Sequence, residues 1–147
     1  MVLPEFNEQG DLPVRVYQVS LEELLERFGK SSLQRQLVTA RLLRIYELAK
    51  NTGKLLRFVI FGSYVTAKPA PNDVDIILLM RDDLTEDDYD PEVFPMFDHL
   101  LCQRQLGASL FAIRPGFIFG ETVDDFIASW SVKRDQGQRG IVEITED

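Results

Sequence analysis

The chain has 147 residues, of which 24 are acidic and 16 are Lys or Arg, so that its formal net charge is -8. This length predicts a single domain with a substantial core. The charge argues against a protein that binds nucleic acid through a broad basic surface, although it leaves a local basic groove open. The lone cysteine, Cys102, excludes an intrachain disulfide, and no apolar run approaches the roughly 18 residues of a membrane span. With no secretory signal at the N-terminus, these features predict a cytoplasmic protein.

The N-terminal third predicts an extended segment followed by two helices. Residues 1–19 are rich in turn formers and form a lead-in. Ser20 and Glu23 match a capping box, which predicts a helix that ends at Gly29. Helical spacing of apolar residues then predicts a longer helix over 33–50. Valines of the lead-in either form a short strand or pack against the core: Val14, Val16 and Val19.

Two apolar runs in the middle of the chain, residues 55–61 and 76–80, predict buried strands. Both are short, rich in β-branched residues and bounded by turn formers. The first run ends at Gly62 and Ser63, a sharp corner. Only one helical turn, over residues 64–67, fits in the connection because prolines follow it.

A pair of acids, Asp73 and Asp75, leads into the second of these strands. Since side chains alternate along a strand, both acids share one face and Val74 takes the other. Two carboxylates on one face beside a Gly-Ser corner predict a site for divalent cations and phosphate. The alternative is that Asp73 is a turn acid and Asp75 pairs with a lysine or arginine.

The C-terminal half predicts two helices and two further strands. A third helix is indicated from about residue 93 to near Gly107, although Pro95 must lie in or near its first turn. Strands are predicted at 108–113 and 140–144, with a short helix at 123–130 between them. Together these elements predict a mixed α/β (α+β) domain in which a small twisted sheet is backed by helices.

The central stretch, a strand ending in Gly-Ser and then Asp-x-Asp on a second strand, resembles the signature of the polymerase-β-like nucleotidyltransferase superfamily. It is most similar to the minimal, single-domain members. GDLPVRVYQVSLEELLERFG, the long helix and FGSYVTAKPAPNDVDI are similar to a family of short bacterial proteins with this fold. The likeness covers about residues 6–80 and returns at RGIVEI near the end. It implies one nucleotidyltransferase-like domain over residues 1–147.

The resemblance also implies an activity: transfer of a nucleoside monophosphate from a triphosphate to an acceptor, with pyrophosphate as the second product. In such a site Gly62 would let the backbone approach a phosphate, and Ser63 would donate hydrogen bonds to the β- and γ-phosphates. Asp73 and Asp75 are the residues expected to hold Mg²⁺ or Mn²⁺. Lys68 either adds positive charge at the phosphates or is an ordinary surface lysine. The acceptor is a protein, an RNA or a small molecule, and the resemblance makes a bacterial toxin–antitoxin role one option.

The sequence departs from the family pattern at the third carboxylate, which active members usually carry on a neighbouring strand. The matching strand here is 108–113, and it has Ser109 at that place. A serine supplies no negative charge and is not a base near neutral pH. Glu143 is the best substitute, and Asp98 and Glu121 are weaker ones. If none of them fills the place, the chain is a nucleotidyltransferase-fold binding or regulatory module that does no chemistry.

Three further features lie outside the central motif. Arg35, Arg41 and Arg44 on the second helix form either a basic stripe for an acceptor RNA or acidic partner, or a solvated helix face. His99, the only histidine, is expected to be a helix-surface residue. Cys102 is expected to be a buried or half-buried thiol.

Overall fold

A mixed sheet of five strands forms the centre of the computed structural model, which describes residues 3–88, 91–133 and 137–145. The strand order is β1-β5-β2-β3-β4. The two outer pairs, β1 with β5 and β3 with β4, are parallel, and the inner pairs are antiparallel. The predicted class, a mixed α/β domain with a small sheet and helices, is therefore confirmed. The strands are β1 (Val16–Val19), β2 (Leu55–Phe61), β3 (Asp75–Met80), β4 (Ser109–Ile113) and β5 (Ile141–Ile144).

Four helices accompany the sheet, and side-chain caps define where they begin. Ser20 Oγ accepts the Glu23 N–H at 3.1 Å, which confirms the predicted N-cap, while the Glu23 carboxylate accepts the N–H of Leu3. Ser32 caps the second helix in the same way. None of the helices in the described part of the chain combines the length and apolar composition that crossing a membrane requires. They are α1 (Leu21–Phe28), α2 (Leu33–Asn51), α3 (His99–Leu101) and α4 (Val123–Ser129).

The predicted third helix is wrong as one continuous α-helix. A 3₁₀ segment over Pro91–Phe97 contains Pro95, α3 begins after the N-cap Asp98, and a π-helical segment follows at Cys102–Leu106. Pro95 has no N–H to donate and its ring clashes with the preceding turn, so a regular α-helix cannot pass through it. Gly107, at φ +68°, ends the last segment.

The two faces of the sheet are covered unequally. Phe58 and Ile60 of β2 point into the main core, which also contains buried side chains of α1 and α2. Val59, between them in sequence, points to the opposite face and packs in a smaller cluster with Ile77 and with Ile127 of α4. Partly buried aromatic residues surround this smaller cluster. Because few of its side chains are fully buried, this face of the sheet is less completely covered than the other, and clefts lie on it.

Candidate active site

An open cleft, which we call the aspartate cleft, lies where β2 ends and β3 begins. It encloses about 540 Å³. It brings together the predicted phosphate-binding and metal-binding residues but none of the candidates for a third acid. Its lining also contains residues that the sequence did not point to. The lining residues are Gly62, Ser63, Lys68, Asn72, Asp73, Asp75, Lys133 and Arg139.

Gly62 and Asp75 are fitted to each other at the base of the cleft. Gly62 has φ +78°, which favours glycine. Its neighbour Phe61 pairs with Asp75 across β2 and β3. A Cβ added to Gly62 would lie 3.0 Å from Asp75 Cγ and would collide with Asp75 Oδ2. The glycine therefore provides both the turn and the space in which the Asp75 carboxylate lies.

Asp73 lies on the same side of the chain as Asp75. The intervening Val74 is fully buried in the main core, whereas both acids are half-buried and line the cleft, as the alternation predicts. Asp73 Oδ1 accepts the Val74 N–H at 2.8 Å, and Oδ2 accepts the Ser109 hydroxyl at 3.0 Å. Because a carboxylate has about four acceptor positions, these bonds leave Asp73 able to bind a cation.

Cys102 lies close enough to Asp73 to be affected by its charge. Burial, and secondly the Asp73 carboxylate, raise the pKa of the Cys102 thiol to about 11. The thiol is fully buried, so the predicted buried cysteine is confirmed. It is protonated near neutral pH and is not a nucleophile of this site.

Ser109 occupies the strand position next to the acids. It pairs with Asp75 in the parallel β3–β4 ladder, and it donates its hydroxyl to Asp73. Gln103 Nε2 in turn donates to Ser109 Oγ at 3.2 Å. The position at which the resemblance leads one to expect a third acid thus holds a neutral hydroxyl that positions Asp73.

Glu143 belongs to a different charged group, the Arg57 cluster, made of Arg57, Glu143, Asp124 and Gln18. Arg57 donates through Nε and Nη2 to the two Glu143 oxygens, at 2.9 and 2.7 Å. The hydrogen bond to Glu143 is the main reason that the pKa of Arg57 is raised. Asp124 accepts from Arg57 Nη1, and Gln18 donates to Glu143. Glu143 does not line the aspartate cleft, so the structure does not bring it to the two aspartates.

The weaker substitutes for a third acid also lie elsewhere. Asp98 caps α3 by accepting the Leu101 N–H at 3.1 Å, and Glu121 is exposed before α4. Within residues 3–88, 91–133 and 137–145, no group of three His, Cys, Asp or Glu side chains could hold a metal ion. A cation in the aspartate cleft would therefore take only two carboxylates from these residues.

The positive side of the cleft is built around Asp11, which sequence reasoning missed. Asp11 is 4% exposed and accepts from Lys133 Nζ at 2.8 Å and from Arg139 Nη1 at 3.4 Å. Lysine and arginine carry three and five N–H donors, so both keep donors for an anion. Asp11 and Arg139 lie in the GDLP and RGIVEI segments that resemble the bacterial family. That likeness was the only signal for them.

Arg35 supports the loop that follows Gly62 and Ser63. Its guanidinium donates to the carbonyls of Phe28, Tyr64, Thr66 and Lys68 at 2.7–3.2 Å. Arg35 is only 3% exposed, and this burial lowers the pKa of its guanidinium. Both interpretations of an exposed arginine stripe on α2 are thus wrong for Arg35. It holds residues 64–68 in place from inside the protein.

Comparison with known proteins gives a family but no characterised relative. Among curated proteins and among solved structures, none matches this chain. One family, described as a family of unknown function (DUF6932), matches over residues 4–145. Because this match covers nearly the whole length, the chain belongs to the DUF6932 family.

Proposed function

We propose that the aspartate cleft binds a nucleoside triphosphate with a divalent cation and transfers the nucleoside monophosphate to an acceptor. The observation that carries the proposal is the position of the Asp75 carboxylate against Gly62, with Asp73 on the same side. Opposite charges meet in this cleft, since Lys68, Lys133 and Arg139 line it as well. A polymerase-β-like nucleotidyltransferase fold is part of this proposal. Two adjacent strands joined through a Gly-Ser corner, with both acids on one side, support it.

The residues present fit a magnesium ion. Mg²⁺ is usually held by one or two carboxylates together with waters and substrate phosphates, which is what Asp73 and Asp75 can provide. Both are hard oxygen ligands, and Asp73 keeps acceptor positions beyond its two hydrogen bonds. When bound, the cation supplies charge stabilisation at the phosphate oxygens.

The chain's own residues bind and orient the triphosphate. Ser63 and the N–H groups beside it donate to the β- and γ-phosphate oxygens, and the lysines and Arg139 offset the phosphate charge. In the transfer, an acceptor oxygen forms a bond to the α-phosphorus. The bond from that phosphorus to the oxygen bridging to the β-phosphate breaks. Pyrophosphate leaves, and the acceptor proton passes to water. A protein, an RNA or a small molecule can supply the hydroxyl, and a partner protein of a toxin–antitoxin pair is one such acceptor.

A second candidate function is nucleotide binding without transfer. Ser109 favours it, because this neutral residue pairs with Asp75 at the place where active enzymes usually carry the third acid. Without that acid, residues 3–88, 91–133 and 137–145 supply one ligand fewer for a second cation and no third carboxylate as a base beside the two aspartates. The chain would then act as a regulatory module that senses a nucleotide.

The test compares wild-type protein with Asp73→Asn/Asp75→Asn by calorimetric titration with Mn²⁺ and then with ATP. We expect the variant to lose Mn²⁺ binding with little loss of stability, because repulsion between like charges is relieved. Glu121→Gln/Asp125→Asn removes the same charge from exposed positions and should bind as wild type does. Equal Mn²⁺ affinity in all three proteins would refute the proposal.

Labelled nucleoside triphosphates then separate the two candidates. Transfer of label to an acceptor in the presence of Mg²⁺, lost in Asp73→Asn/Asp75→Asn, identifies an enzyme. Binding of ATP without transfer to protein, RNA and small-molecule acceptors would favour the binding module instead.

A further inference from the structure

A second cleft, which we call the aromatic cleft, opens on the same side of the sheet as the aspartate cleft. It encloses about 450 Å³. Its walls include Phe111, Phe126 and Trp130, together with His99, Ile77 and Ile113. In the described part of the chain, no carboxylate lines it. The aromatic cleft is thus lined mainly by aromatic and aliphatic side chains, unlike the charged aspartate cleft beside it.

Three segments of the chain connect the two clefts. Asp75 lines the first cleft and Ile77, two residues further along the same face of β3, lines the second. After α4, Trp130 lines the aromatic cleft and Lys133, three residues later, lines the aspartate cleft. Phe61, which directly precedes Gly62, places its ring centroid 5.0 Å from that of Trp130. The apolar surface next to a ligand bound at Gly62 would therefore include these aromatic rings.

The rings form a continuous row along this surface, each tilted against the next. Phe111 lies 5.0 Å from Trp130 and 5.2 Å from His99, measured between ring centroids. Phe111 is 38% exposed although it is a large apolar residue on a strand. The exposed part of this ring is available for contact with another planar group.

We propose that the aromatic cleft is the nucleobase subsite for the triphosphate of the aspartate cleft. This inference rests on the proposed function. Charge sets the orientation, since the phosphates are drawn to Lys68, Lys133 and Arg139 while the uncharged base stacks against Phe111 and Trp130. Stacking of a base on an aromatic side chain contributes about 1–3 kcal/mol and tolerates every base. Purine and pyrimidine triphosphates should therefore bind with similar affinity.

Trp130 makes the proposal directly measurable, because it is the only tryptophan in the chain. The full-length protein is titrated with MgATP and separately with magnesium tripolyphosphate, which has the phosphates but no base. Calorimetry measures binding and tryptophan fluorescence measures stacking, with N-acetyltryptophanamide as the correction for light absorbed by ATP. We expect both ligands to bind, ATP more tightly, and only ATP to change the fluorescence.

A matched pair of variants locates the effect. Phe111→Leu keeps an apolar side chain but removes the ring, and Phe119→Leu makes the same change at a residue that is 80% exposed and outside the cleft. Phe111→Leu should weaken ATP binding by about tenfold and leave tripolyphosphate binding unchanged. Phe119→Leu should change neither.

The possible failures are distinguishable. Equal wild-type affinity for ATP and tripolyphosphate, or bound ATP without a change in fluorescence, would overturn the nucleobase subsite while leaving the phosphate site intact. Equal weakening of both ligands in Phe111→Leu would reduce Phe111 to a structural role and would also overturn it. If neither ligand binds the wild-type protein, the proposed function itself is wrong, and the subsite with it.

Discussion

The Arg57 cluster and the aspartate cleft are two acidic sites on one sheet, and they satisfy their carboxylates in opposite ways. Both Glu143 oxygens accept from the Arg57 guanidinium, and the Glu143 side chain is only 6% exposed. Asp73, by contrast, accepts from a backbone N–H and a serine hydroxyl, both of them neutral donors. The charge of Glu143 is compensated within the protein, whereas the charge of Asp73 remains able to attract a cation. The partner, rather than the acid, distinguishes a carboxylate whose charge is compensated within the protein from one that can attract a cation.

Arg35 should show the largest effect, because it is a buried charge like those of the Arg57 cluster yet supports the loop of the aspartate cleft. Arg35→Met would leave buried carbonyl groups without their donor, at a cost of about 3 kcal/mol or more in the free energy of unfolding. Arg44→Met, at an exposed position of the same helix, should cost less than about 1 kcal/mol, because interactions of exposed charges contribute little. Urea unfolding measures both. Equal stability of the two variants would contradict the supporting role of Arg35.

Glu143→Gln tests whether the Arg57 cluster is structural. Removing the buried partner leaves Arg57 with only the exposed Asp124 as its counter-charge, so we expect a loss of about 3 kcal/mol, with Mn²⁺ affinity unchanged. Asp124→Asn is the control, because Asp124 pairs with the same arginine but its side chain is 86% exposed, and its loss should cost less than about 1 kcal/mol. Thermal unfolding together with Mn²⁺ titration separates the two effects. Loss of Mn²⁺ binding in Glu143→Gln would show that Glu143 belongs to the metal site.

Gly62→Ala tests the fit between Gly62 and Asp75. Gly62 and Gly120 both have φ +78°, but an added Cβ meets nothing within 4 Å at Gly120, whereas it collides with Asp75 at Gly62. Both alanines carry the same backbone strain of about 1 kcal/mol. Gly62→Ala should lose about 1–2 kcal/mol more through the collision, and it should also weaken Mn²⁺ binding by displacing the carboxylate. Gly120→Ala is the control. If it matches Gly62→Ala in stability and in Mn²⁺ affinity, the position of the Asp75 carboxylate does not depend on the absence of a side chain at Gly62.

Local patterns in the sequence were enough to predict most of the elements that form the cleft. Strand β2 and the first two helices agree with the prediction, because apolar periodicity and capping residues act over a few positions. The same alternation placed Asp73 and Asp75 on one side. The prediction of one continuous third helix was wrong for an equally local reason, because Pro95 lies inside the segment.

What the sequence by itself determined is therefore the pair of acids, the Gly-Ser corner and the strands that carry them. Only the tertiary structure decided which charges are compensated internally. Glu143 pairs with Arg57, Asp11 with Arg139 and Arg35 with the carbonyls of a loop, and each of these contacts joins distant parts of the chain. No periodic pattern in the sequence identifies the partner of a charged side chain. Its role depends on which donor the packed sheet and helices bring within hydrogen-bonding distance.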